Sequence, residues 1–216
     1  LSLNRTVRVR MTRRALAFRK GRPESQPVRP SEGGSLGRVR QSGPLALRAA
    51  LAAAVVAGAA ARLVLAFERP LWADEVFTLD LARRPLGALL EALRADSGPP
   101  LHYLAAKLLL LPFPAPGPAD VLVRLLSVAA SLLHVPLLLS IGRRARAESA
   151  GAAASALFLV FPLAVGSGGE GRGYALASLL SLACFGRLAA LREAPRVRTG
   201  LAAGLLGGAA FLTHYL

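Results

Sequence analysis

Residues 45–67 read LALRAALAAAVVAGAAARLVLAF, an apolar run interrupted only by Arg48 and Arg62. About 20 apolar residues cover the hydrocarbon core of a bilayer as a helix, so this stretch is long enough to cross it. A cleaved signal peptide is the rival reading, given the small residues at 57–61. The further apolar runs downstream favour an uncleaved anchor. Val121 to Ile141 is a second span, and Ala150 to Val165 a third. Tyr174 to Leu191 is a fourth, and a fifth opens at Gly200. The fold class expected is all-α, a polytopic membrane protein of about five transmembrane helices.

Composition agrees. The chain is 54% hydrophobic, above the share usual for soluble domains, with a mean hydropathy of +0.48. Its charge is uneven. Residues 1–48 hold twelve Lys/Arg against Glu24 and Glu32, so they carry +10 of the net +15. Residues 1–44 are rich in Arg, Ser, Gly and Pro and have no apolar period, which predicts a disordered basic tail. Beside a membrane anchor such a tail touches anionic lipid rather than nucleic acid. Cys184 is the single cysteine, so no disulfide within the chain and no thiolate metal cluster can form. The chain opens at Leu1 and stops at Leu216 inside an apolar stretch. It is expected to be the N-terminal piece of a longer protein, with Met11 a candidate start.

The segment 68–120 has five basic and seven acidic residues. Leu86, Leu89, Leu90 and Leu93 repeat at helical spacing, with Glu91 and Arg94 on the other face, which predicts a short amphipathic helix in the membrane interface. Leu101 to Phe113 is apolar but too short to span, and it carries Lys107. It is expected to be re-entrant or interfacial, ended by the prolines at 112–118. The positive-inside rule then places the tail, the 143–146 arginines and the 192–198 arginines in the cytoplasm. The segment 68–120 and the Gly-rich turn 166–173 share the non-cytoplasmic face.

Two constellations on that face can carry chemistry. Asp74 and Glu75 are adjacent carboxylates just past the first span. Either can open a helix over 76–84. Alternatively they supply a general base, with a pKa raised by an apolar setting, that deprotonates an acceptor hydroxyl. Arg172, in Glu170-Gly171-Arg172-Gly173-Tyr174, stands at the outer end of a span, where positive charge is disfavoured. It can snorkel, or it can bind a phosphate through paired hydrogen bonds while Glu170 holds it in place. His102 reads as a packed histidine, Lys107 as a snorkelling or phosphate-neutralising cation, and His134 as a helix–helix hydrogen-bonding group. No metal-ligand spacing is present, so no metal or other cofactor is expected.

The stretches WADEVFTL at 72–79, GPPLHYL at 98–104 and EGRGYAL at 170–176 occur in an order and spacing that resemble one family. Arg124 and Thr-His-Tyr at 213–215 fit as well. Over about residues 45–216 the chain resembles the N-terminal half of the membrane GT-C glycosyltransferases. More narrowly, it is similar to the bacterial branch related to protein O-mannosyltransferases and lipid A aminoarabinose transferases. Gly98 and His102 depart from that pattern, where His and Tyr are frequent. The resemblance implies transfer of a sugar from a polyprenyl-phosphate carrier to a glycan, lipid or protein acceptor on the outer face of the cell membrane. It implies an inverting reaction, with Asp74 as the catalytic carboxylate and Glu75 as its neighbour. By the resemblance Arg172 falls where a basic residue meets the donor phosphate; read from the residues alone, Lys107 is a second cation for that phosphate, and Glu170, Tyr174 and His102 are candidate supporting groups. The alternatives are a secondary transporter or flippase subunit, marked by charges at membrane edges and broken helices, and an inactive fragment.

Overall fold

The computed structural model describes residues 44–96 and 98–215. The basic tail expected over 1–44 lies outside these residues except for its last position. The described chain is all helical and forms a polytopic membrane protein.

Helix α1 (Pro44–Glu68) is the first span, and Pro70 stops the chain from continuing it. Three short helices follow on one face: α2 (Ala73–Arg83), α3 (Leu86–Ala95) and α4 (Pro100–Leu110). At 11 residues α4 reaches only about 16 Å, too little to cross. It lies against α2 instead. Leu79, Ala82, Ala106 and Leu110 make one small core with Val123, and Leu81, Leu89, Leu93 and Tyr103 make a second. The amphipathic helix is thus present, with Leu89 and Leu93 buried and Leu86 exposed. Helix α2 begins at Ala73 rather than at 76. The two carboxylates therefore sit in its first turn, and Glu75 accepts a hydrogen bond from the Trp72 backbone N–H at 3.3 Å.

Helix α5 (Val121–Arg144) is the second span. The third departs from expectation. It consists of two helices, α6 (Glu148–Val160) and α7 (Pro162–Gly168), bent by 65°. Pro162 lacks the N–H that would bond the Phe158 carbonyl, so the helix cannot run straight through. Arg62 of α1, 0% exposed, fills the gap. Its guanidinium donates to the carbonyls of Phe158 (3.3 Å), Leu159 (3.0 Å) and Ala164 (3.2 Å) and to Ser131 Oγ (2.7 Å). Among the described residues no carboxylate faces it. The charge is held by the negative end of α6.

Helix α8 (Tyr174–Glu193) is the next span, and α9 (Val197–Thr213) packs antiparallel to it. By length and composition three helices can cross a membrane, four if the bent pair is one span, and α9 is a shorter apolar helix. The α5–α6 and α8–α9 connections share one end of the bundle, where Arg144 meets Glu193 at 3.6 Å. The segment 68–120 and the turn 166–173 share the other end, as the charge pattern predicted.

Candidate functional site

The site forms where α2, α4, α5 and the turn before α8 meet. Its foundation is a buried ion pair that sequence reasoning missed. Glu75, 2% exposed, accepts from Arg124 Nε at 2.8 Å and from a terminal Arg124 nitrogen at 2.5 Å. Its Oε1 also accepts from the Gly171 N–H at 2.7 Å. Arg124 completes its coordination on the carbonyls of Ala66 (3.0 Å), Arg69 (2.6 Å) and Pro70 (2.9 Å). One carboxylate and one guanidinium thereby tie the end of α1, the start of α2, the start of α5 and the Gly171 turn together.

These contacts correct the expectation for Glu75. Burial alone would raise its pKa. The Arg124 and Gly171 hydrogen bonds and the Arg124 charge outweigh burial and lower it. Glu75 is ionised and fully engaged, so it is a positioning group rather than a free base. The signal that could have revealed Arg124 was the one applied to Arg172, an arginine at the outer end of a span.

The turn 169–173 is held from three sides. Glu75 takes the Gly171 N–H, the Gly171 carbonyl lies 3.1 Å from His102 Nε2, and Ser127 Oγ donates to the Arg172 carbonyl at 3.0 Å. A Cβ at Gly171 would meet Glu75 Oε1 at 3.3 Å, tighter than most real contacts. Because a carbonyl only accepts, His102 Nε2 carries the proton, and the buried Nδ1 has no partner among the described residues. Burial, more than the nearby Arg172 charge, pushes the His102 pKa down to about 4. The ring is therefore neutral near pH 7. Burial likewise pushes the Tyr103 phenol up.

This scaffold aims the Arg172 side chain at Asp74. A terminal nitrogen of Arg172 lies 3.3 Å from Asp74 Oδ2, and the other donates to the Asp74 carbonyl at 3.5 Å. The pair is accessible, with the Asp74 side chain 46% and the Arg172 side chain 21% exposed. The guanidinium also sits 5.8 Å from the Tyr174 ring centroid. Glu170 does not hold Arg172 as expected; it faces Arg69 at 3.8 Å. Lys107 is also elsewhere. Its ammonium donates to the carbonyls of Ala82 (3.3 Å) and Arg84 (2.6 Å), closing the far end of α2. Those carbonyls lie about 12–15 Å along the helix from Asp74.

Arg172 opens into a polar pocket of about 270 Å³ lined by Asp96, His102, Tyr103, Arg172, His214 and Tyr215. An apolar groove of about 590 Å³ runs between α8 and α9, lined by Tyr174, Ala177, Phe185, Leu188, Phe211 and His214. The two cavities share His214, whose ring lies 4.8 Å from that of Tyr174. The combined shape suits an amphiphile with an anionic or hydroxylated head and an apolar tail. Among the described residues, no three His, Cys, Asp or Glu side chains converge as metal ligands. Comparison of the chain with protein-family models, curated proteins and solved structures finds no match.

Proposed function

We propose that this chain is part of a membrane glycosyltransferase that takes a sugar from a polyprenyl-phosphate donor and passes it to an acceptor on the non-cytoplasmic face of the cell membrane. The observation that carries this reading is the Asp74–Arg172 pair, whose arginine lines a polar pocket that meets an apolar groove at His214. A glycosyl donor with a lipid carrier needs both kinds of surface. Its isoprene units match the α8–α9 groove, its phosphate matches a guanidinium, and its sugar needs polar walls. In the reaction the Asp74 carboxylate takes the proton of the acceptor hydroxyl as that oxygen bonds the anomeric carbon. The bond from that carbon to the phosphate oxygen breaks on the opposite face. The lipid phosphate leaves with its charge stabilised by Arg172. The chain's own residues supply the base and the cation, and Glu75, Arg124 and His102 position them. The arginine-rich end of the bundle is taken as cytoplasmic, which places the site outside.

A secondary transporter remains the alternative, since it too has broken helices. The α6–α7 break weighs against it, because its freed carbonyls are already occupied by Arg62. The donor assignment is tested by kinetics with radiolabelled polyprenyl-phosphate sugars in membranes expressing the full-length protein. Arg172→Ala is expected to raise the apparent KM for the donor at least tenfold. An unchanged KM would remove the phosphate role.

A further inference from the structure

In-line displacement places the attacking oxygen and the departing phosphate on opposite faces of the anomeric carbon. The base on the acceptor and the cation on the phosphate must then be separated by the sugar. In the structure they touch: Arg172 and Asp74 are 3.3 Å apart, and a second Arg172 nitrogen is on the Asp74 backbone carbonyl. The base is thus held by the group that should hold the leaving group. Asp74 is the only carboxylate paired with Arg172 among the described residues. Arg172 is anchored through its backbone by Ser127, so its side chain can change partner without moving the turn.

Resting on the glycosyltransferase reading, we infer that Asp74 occupies the donor-phosphate position on Arg172 in the empty site and that an arriving phosphate displaces it. The carboxylate competes with phosphate for one guanidinium, because both are oxyanions that accept its paired N–H donors. Donor binding then frees Asp74 for the acceptor, so donor binds before acceptor. Before the donor arrives, the base is neutralised by its neighbour and cannot act on water or a stray hydroxyl. The other groups near Arg172 do not compete in the same way. Glu75 is consumed by Arg124 and Gly171, Glu170 faces Arg69, and Asp96 lines the pocket without an ion pair to Arg172.

The test is equilibrium binding of a short polyprenyl phosphate to the purified full-length protein, with the matching polyprenol as the uncharged control. An exposed ion pair of this kind is weak, so its removal is expected to tighten phosphate binding about two- to fivefold. Asp74→Asn and Asp74→Ser should both show this gain, polyprenol binding should not change, and Arg172→Gln should weaken phosphate binding. In the Arg172→Gln background the Asp74→Asn gain should vanish, since there is no shared partner left to release. Two results overturn the displacement while leaving the enzyme reading intact: no gain in either Asp74 variant, or an equal gain without Arg172. Failure of the wild-type protein to prefer the phosphate over the alcohol would overturn both.

Discussion

Replacing Glu75 by Ala should unfold the site from its base. The change leaves Arg124, whose side chain is 6% exposed, without a counter-charge and the Gly171 N–H without its acceptor. Breaking a buried pair from one side costs about 3–5 kcal/mol, and a buried orphan N–H adds about 1–3 kcal/mol before non-additivity is allowed for. For a chain of this length the pair alone corresponds to a fall in Tm of roughly 6–20 °C. Arg124 keeps its three carbonyl partners, so the lower half of that range is the better expectation. Thermal unfolding followed by helical circular dichroism in detergent reads it directly. Replacing both partners by Met removes the stranded charge as well as the pair. The double variant should therefore be more stable than Glu75→Ala. The pair also makes a pH prediction. Because folding lowers the Glu75 pKa, its contribution is complete above the unfolded value of about 4.3 and is lost as pH falls through the folded value. A loss under 1 kcal/mol in Glu75→Ala, or a double variant no better than the single, would refute this role.

Three further outcomes follow from particular contacts. Arg62→Leu leaves the carbonyls at the α6–α7 break without their guanidinium; at about 1–3 kcal/mol per orphaned group, the Tm should drop by more than in Arg62→Lys, which keeps a donor. His102 has a folded pKa of about 4 against about 6.5 unfolded, so stability is full above pH 6.5 and declines as pH falls towards 4. His102→Gln should flatten that part of the stability–pH curve, and an unaltered curve would assign the dependence elsewhere. At Gly142 a Cβ would come within 2.7 Å of the Gly151 Cα, backbone that cannot give way. Gly142→Ala should therefore destabilise the α5–α6 contact by about 1–3 kcal/mol in the same thermal assay.

Much of the fold was legible because membrane spans announce themselves by apolar length. The runs at 45–67, 121–141 and 174–191 became α1, α5 and α8. The short run at 101–113 became the non-crossing α4. The broken third span was less legible, since Pro162 sits inside a continuous apolar run and its consequence depends on Arg62, 100 residues earlier. In the site, the approach of Asp74 to Arg172 could be expected only as far as both lie on one face. Pairing among charges is set by tertiary distances that spacing does not contain. Spacing therefore points Glu170 at Arg172 although it faces Arg69, and leaves Lys107 open to snorkelling or to a phosphate although it closes α2. Glu75 misled for a related reason. Two adjacent helical carboxylates point about 100° apart, so one can be buried on an arginine while its neighbour remains open to solvent.

Sugar transfer itself is the most direct measurement. Membranes containing the full-length protein, or its Asp74→Asn variant at equal abundance, would be given radiolabelled polyprenyl-phosphate sugars. Label is expected to move to an acceptor with the wild type and to fall by about 10²-fold or more with Asp74→Asn, while the variant still binds the polyprenyl phosphate. Transfer at an undiminished rate by Asp74→Asn would contradict the base assignment. No transfer by the wild-type protein from any such donor would contradict the glycosyltransferase reading.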